Sequence, residues 1–274
     1  MVKKAYVDTK GGQIHYRYCS GGSGIPLVMF HMNAASSAAF EPLMKELDGK
    51  FPLFALDTVN YGESYRTDAE PSIGLIADVL LEALSALKIE RFHTYGHHTG
   101  VNIAVDMALK APNRVATVIA HGPNYITMEE NAYCMRTMAI PNPIHVKGTQ
   151  FIWAWSRVKD NMGEAIWRET PHAAEILNRD TIDMLRAGEN WNWAYRAVFS
   201  HDLIAAMKQV KCPMFLICGA QEPTGASLKH HKQALKDLPD ARGFVLEAGG
   251  VYAPESHPAD LAPEVLKFIR QVKV

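Results

Sequence analysis

Apolar residues along this chain follow two rhythms. Residues 5–20 alternate apolar and polar around Gly11-Gly12, as in Gln13-Ile14-His15-Tyr16-Arg17-Tyr18, and this predicts a β-hairpin with one covered face. Short, nearly unbroken apolar runs follow at 25–30, 51–57, 91–95, 115–120, 213–218 and 243–247. Runs of this length rich in Val, Ile, Leu and Phe predict strands buried on both faces. Between them lie helical patterns: one capped by Ser36-Ser37 and running to Leu47, then 72–87, 101–109 and 258–272.

Strands alternating with helices imply a mostly parallel sheet covered on both sides. Counting the hairpin, eight strands are expected. The rhythm stops between about 123 and 205, where the pattern is helical throughout and all five tryptophans fall: Trp153, Trp155, Trp167, Trp191 and Trp193. Residues 1–122 and 206–274 are therefore expected to form an α/β core, and 123–205 a helical lid inserted after the sixth strand.

The chain has 274 residues, enough for one such core with a lid. Its formal net charge is −1, with both signs mixed along the length, so it carries no electrostatic footprint for nucleic acid or an anionic membrane. No apolar run reaches the roughly 20 residues that span a bilayer. Met1-Val2-Lys3-Lys4 meets charge at once, and Cys19, Cys134, Cys212 and Cys218 show neither metal spacing nor a disulfide framework. A cytoplasmic protein with free thiols is expected. Its expected partner is a small-molecule substrate, no cofactor is called for, and a homodimer is left open.

The chemistry centres on Gly96-His97-His98-Thr99-Gly100. The run ends a strand and opens a helix, and its small flanking residues suit a turn too tight for side chains. This is the context of a nucleophile elbow, Gly-x-Nuc-x-Gly, with histidine at the central position.

Other segments extend the pattern. Phe30-His31-Met32-Asn33 sits where an oxyanion loop would lie, and Asp57-Thr58-Val59-Asn60-Tyr61-Gly62-Glu63-Ser64 follows the next strand. Gly219-Ala220-Gln221-Glu222 and the segment from Gly249-Gly250-Val251-Tyr252 to Glu255-Ser256-His257-Pro258 close the set. In this order they resemble the α/β-hydrolase superfamily of the cap-domain type over essentially the whole chain. The resemblance implies an eight-stranded α/β-hydrolase sheet with a helical cap. It places the triad at His98, Glu222 and Val251, so the acid is kept while the serine and histidine are both absent. The usual acyl-enzyme route needs both of the missing groups.

An imidazole above a helix N-terminus is favoured neutral, able to take a proton or attack as a nucleophile. Histidine is larger than serine and valine smaller than histidine, so the His98 ring is expected to enter space vacated at Val251 and reach Glu222. Thr99 and an amide of Met32 or Asn33 would form the oxyanion hole. Substrate contacts are expected from His31, Tyr61, His121 and Tyr125. Trp153 and Trp191 of the lid, with Val251 and Tyr252, complete that set. The resemblance makes the strands ending at His31, His97-His98 and His121 neighbours, and it implies packed scaffold roles for His31 and His97, so no metal site is expected. The expected activity is hydrolysis of an ester, lactone or carbon–carbon bond in a small, fairly apolar carbonyl compound. Proton-abstraction chemistry (lyase, decarboxylase or cofactor-free oxygenase) and a non-catalytic binding protein are the alternatives.

Overall fold

The short apolar runs become the strands of one sheet. The computed structural model describes residues 1–163, 170–222 and 225–272. Its strands are β1 (Lys3–Thr9), β2 (Gly12–Cys19), β3 (Leu27–Phe30), β4 (Leu53–Leu56), β5 (Phe92–His97), β6 (Val115–His121), β7 (Met214–Gly219) and β8 (Arg242–Leu246). They lie in the order β1-β2-β4-β3-β5-β6-β7-β8. β2 pairs antiparallel with β1 and with β4, and every other pair is parallel. β3, β5, β6 and β7 are buried at every position, which is why their sequences are continuous rather than alternating.

Successive strand residues point to opposite faces, so the sheet has two cores. Val28, Phe30, Phe92 and Val118 meet α2 (Ile73–Ala86) and α3 (Thr99–Lys110) on one side. Leu27, Met29, Tyr95 and Ile119 meet α1 (Glu41–Leu47) and the last helix (Pro258–Gln271) on the other. Ser36 caps a short 3-10 turn, Ser37–Phe40, that leads into α1, its Oγ accepting from Ala38 N. Ser72 caps α2 in the same way through Leu75 N.

Between β6 and β7 the described residues form helices: α4 (Met128–Thr137), α5 (Thr149–Met162), α6 (Ala173–Ala187), α7 (Trp193–Phe199) and α8 (Leu203–Met207). Trp167, counted among the aromatics of this stretch, lies outside the described residues. Ala154, Val158, Ile176, Met184 and Trp191 build an apolar cluster of the insertion's own, and Met32, Tyr61 and Tyr252 join it from loops beyond the strand ends. α8 straddles the expected boundary at 205, and its Leu203 and Met207 are buried in the core of the sheet itself.

The chain reverses its direction of sheet growth at β3, with β4 on one side and β5 on the other. A crevice opens beyond the carboxyl ends of strands at such a point. β5 reaches it and turns into α3 through His98 alone, whose φ of 47° and ψ of −106° lie in a strained region. The turn is closed by contact: a Cβ on Gly96 would collide with the Gly100 carbonyl, and one on Gly100 with the carbonyl oxygen of Phe30. Both obstacles are backbone and cannot swing away. Gly100→Ala is therefore expected to cost about 3 kcal/mol or more by overpacking, read as a lowered urea midpoint. A midpoint equal to the parent's would contradict this account of the turn.

Candidate active site

His98 stands at the top of the elbow with its backbone pinned. Its N–H donates to the His121 carbonyl at 2.9 Å, and its own carbonyl accepts from Val101 at 2.9 Å. The side chain is 19% exposed and its Nε2 lies 3.2 Å from Glu222 Oε2, while the Glu222 side chain is fully buried. Neither atom reaches hydrogen-bond geometry, so the pair stands in contact with its polar capacity unused. Glu222 is held there by the turn after β7: its N–H donates to Gly219 O, and the Gln221 N–H donates to Gly249 O.

Gly122, the first residue after β6, makes room for the pair. A Cβ there would lie 2.9 Å from His98 Nε2 and 3.2 Å from Glu222 Oε1, and its φ of +62° also disfavours any side chain. The elbow histidine thus requires a bare backbone beneath its ring as well as small residues beside it.

Two further histidines pack under His98. The His97 ring centroid is 4.8 Å from that of His98 and 4.9 Å from that of His121. His97 lies against the Val251 backbone without reaching a hydrogen bond. His121 Nδ1 shares a 2.5 Å hydrogen bond with the Tyr95 hydroxyl, and its Nε2 has no partner. Burial drives the His97 ring well below the ordinary imidazole range and lowers His121 to about 3, so both are neutral at pH 7.

A chamber of about 90 Å³ opens over His98. Met32, Asn33, Thr99 and Val251 line it from the core, and Asn124, Met138, Asn161, Tyr195 and Phe199 come from the insertion and its approach. The Asn33 N–H donates to Thr99 Oγ1 at 3.2 Å, which occupies one expected oxyanion donor, while both atoms of the Asn33 side-chain amide are buried without partners. Thr99 opens α3, so its N–H is among the first-turn donors that lack an intrahelical acceptor.

Of the expected substrate contacts, Val251 lines the chamber and seven others are absent from its lining. His31, Tyr61, Tyr125 and Tyr252 spend their polar atoms on the scaffold. His31 Nδ1 bonds Met32 O at 2.8 Å, and its Nε2 accepts from Thr58 N at 3.1 Å. The Tyr61 hydroxyl accepts from Ala194 N at 2.8 Å, tying the insertion to the core. Tyr125 donates to Asp237, and Tyr252 to Asp180. Trp153 and Trp191 pack against each other at 4.7 Å, and His121 lies buried beneath His98. Asn161, Tyr195, Met138 and Phe199 were not singled out from the sequence. Their place depends on how the helices dock, and no spacing encodes that. Among the described residues no cluster of three or more His, Cys, Asp or Glu side chains is arranged to hold a metal ion.

Comparison with known proteins agrees with this architecture. The family described as alpha/beta hydrolase fold matches residues 25–258. A provisionally named carbamate hydrolase, RutD, from Escherichia coli O127:H6 is 27% identical over 238 residues, covering 82% of this chain and 84% of that one. A provisionally named non-heme haloperoxidase from Mycobacterium phage D29 is 32% identical over 99 residues, 36% of each chain. In matches of that kind this chain spans about a third of the relative's length. Among solved structures, the enol-lactonase from Burkholderia xenovorans LB400 superposes with a TM-score of 0.78 at 18% identity, over 97% of this chain and all of that one. A thermophilic esterase from Thermogutta terrifontis does so with a TM-score of 0.77 at 17% identity, over 99% of this chain and all of that one.

The buried histidines set the pH dependence of stability. His121 at about 3 and His93 at about 4 stay neutral in the fold, whereas the unfolded chain protonates them near 6.5. Such rings contribute stability above pH 6.5 and lose it as the pH falls toward their folded values. His31, His97, His201 and His231 are shifted the same way by burial. Glu255, raised to about 7, and Asp180, also raised, run opposite, their contributions being lost as pH rises through their folded values. Six rings against two carboxyls favour net destabilisation between pH 7 and 5, with about 2 kcal/mol from each fully depressed ring. Urea titrations across that range should show a falling midpoint, with a shallower slope in His121→Gln. A midpoint that rises on acidification would reverse the sign assigned here.

Proposed function

Because the chain belongs to the alpha/beta hydrolase fold family, we propose that it is a hydrolase of small carbonyl compounds, esters or lactones, in which a His98–Glu222 pair replaces the serine triad. One observation carries this reading: the ring on the elbow lies 3.2 Å from a buried carboxylate, both atoms being otherwise unpartnered. A buried polar group costs stability unless its hydrogen bonding is completed, and these two open groups face one another at the chamber. The esterase, lactonase and carbamate hydrolase among the similar proteins support a hydrolytic role.

Glu222 faces Nε2 and so favours the tautomer with its proton there, leaving Nδ1 as the basic nitrogen. Nδ1 takes a proton from a water molecule as that water attacks the substrate carbonyl. The ring becomes imidazolium, and the adjacent carboxylate stabilises it. The new oxyanion receives hydrogen bonds from the Thr99 N–H and the Asn33 side-chain amide, two donors already on the chamber wall. Collapse of the tetrahedral species expels the alcohol, which takes the proton back from Nδ1. No covalent acyl-enzyme forms.

The serines nearest the site take no part. Ser36 Oγ donates to Asp183 Oδ2 at 2.8 Å, and Ser37 Oγ accepts from Arg17 at 2.7 Å. Fluorophosphonate probes should leave the protein unlabelled.

A panel of short-chain p-nitrophenyl esters and acyl lactones tests the reading. His98→Ala should lower kcat by about 10²- to 10⁴-fold, the usual contribution of a positioned general base. Glu222→Gln should lower it less and shift the pH profile. Turnover unchanged in His98→Ala, or labelling of Ser36 or Ser37, would sink the proposal.

A further inference from the structure

The insertion is fastened to the core along two edges that differ in kind. On one edge the partners are a hydroxyl, a carbonyl and a surface ion pair. Tyr61 accepts from Ala194 N at 2.8 Å, Arg66 donates to the Ala187 carbonyl at 3.0 Å, and Arg196 meets Glu70 at 2.8 Å. On the other edge a single guanidinium, that of Arg179 on α6, gathers three acids. Its Nη1 donates to Asp180 at 2.9 Å and to Asp183 at 3.1 Å. Its Nε donates to Glu255 at 3.1 Å, while Nη2 meets the second Glu255 oxygen.

These acids tie α6 to both loops that border the chamber. Asp183 accepts from Ser36 Oγ at 2.8 Å, just beyond Asn33 in the chain. Asp180 accepts from the Tyr252 hydroxyl at 2.7 Å, and Tyr252 and Glu255 follow Val251. Met32, Asn33 and Val251 line the chamber itself. Between the polar contacts, Ile176 and Met184 of α6 share one apolar cluster with Met32 and Tyr252.

Three acids against one guanidinium leave a surplus of two negative charges when all are ionised, and all three side chains are at least nine-tenths buried. Such a surplus is costly out of water, and one bound proton relieves it. Burial raises Glu255 to about 7 and raises Asp180 as well, each pushed further by the neighbouring acids. The proton belongs to the cluster as a whole rather than to one oxygen. Glu255 and Arg179 line an open groove of about 620 Å³, so the proton has a path to solvent.

Other titratable groups surround the cluster. Burial keeps the Tyr252 and Tyr195 hydroxyls protonated and the His31 and His97 rings neutral. Across the groove α1 presents Glu41, Lys45 and Glu46, while His172 and Glu175 lie at the start of α6. Glu41 is paired with Arg17 at 2.8 Å, and His257 shares a 2.8 Å hydrogen bond with Ser256.

We propose that the Arg179 cluster is a proton-operated clamp on the insertion. Holding a proton, it keeps α6 down on the two loops. On losing that proton it lets this edge lift from the chamber while the Tyr61 edge stays fastened. The clamp does not depend on the chemistry assigned to His98.

Hydrogen exchange on the whole chain tests it, with exchange times corrected for the intrinsic pH dependence of amide exchange. A carboxyl protonated in the closed form and ionised in the open one favours opening by up to about tenfold per pH unit, until its closed-form value is passed. Between pH 5.5 and 8 the α6 amides should therefore lose at least about tenfold in protection relative to those of β5, levelling off above pH 7. Glu255→Gln should flatten that loss. Combined with Asp180→Asn it should abolish it, leaving α6 as protected at pH 8 as the parent is at pH 5.5. Protection of α6 that stays constant or rises with pH, or a loss that survives in the double variant, would overturn the clamp.

Discussion

The contact between the Phe30 carbonyl and the bare α-carbon of Gly100 fixes which side chain the fold presents to its crevice. β3 and β5 are neighbours in the sheet, and α3 must start within one residue of the end of β5. That is feasible only if α3 lies directly on the β3 backbone, which leaves no room for a side chain at Gly100. The single residue between strand and helix then takes a strained conformation and projects out of the sheet. Whatever side chain stands at 98 is presented to the crevice with the first-turn N–H groups of α3 beside it.

A ring in place of a hydroxyl changes what surrounds it. Imidazole extends farther from the backbone than serine does, so the floor below must be lower, and Gly122 lowers it. Val251 lies on the chamber wall where the resemblance would place an imidazole. The acid at 222 therefore meets the elbow residue without an intermediary. In the proposed mechanism two groups thus act where a serine triad has three.

Much of this was legible in the sequence, and the reasons differ by element. Central strands show themselves because burial on both faces leaves no place for polar residues, as in β3, β6 and β7. The elbow shows itself because its glycines answer a steric demand that no other residue meets. Aromatic residues with polar tips are harder to read. Tyr61, Tyr125 and Tyr252 each have a hydroxyl that either a substrate or the scaffold could satisfy, and here Ala194, Asp237 and Asp180 do so. Tyr195, Asn161 and Phe199 reach the chamber through the docking of α5 and α7, which depends on contacts remote in sequence.

Hydrogen-bond accounting separates scaffold from site where residue type does not. Asp57 and Glu222 are both buried carboxylates at strand ends. Asp57 bonds His15 Nδ1 at 2.8 Å and accepts from the Ser37 and Glu63 N–H groups, and these contacts hold it well below the usual carboxylate range. It is locked into the loops it organises, with no capacity left for a ligand. Among the described residues Glu222 has no such donors, and its carboxylate lies beside His98.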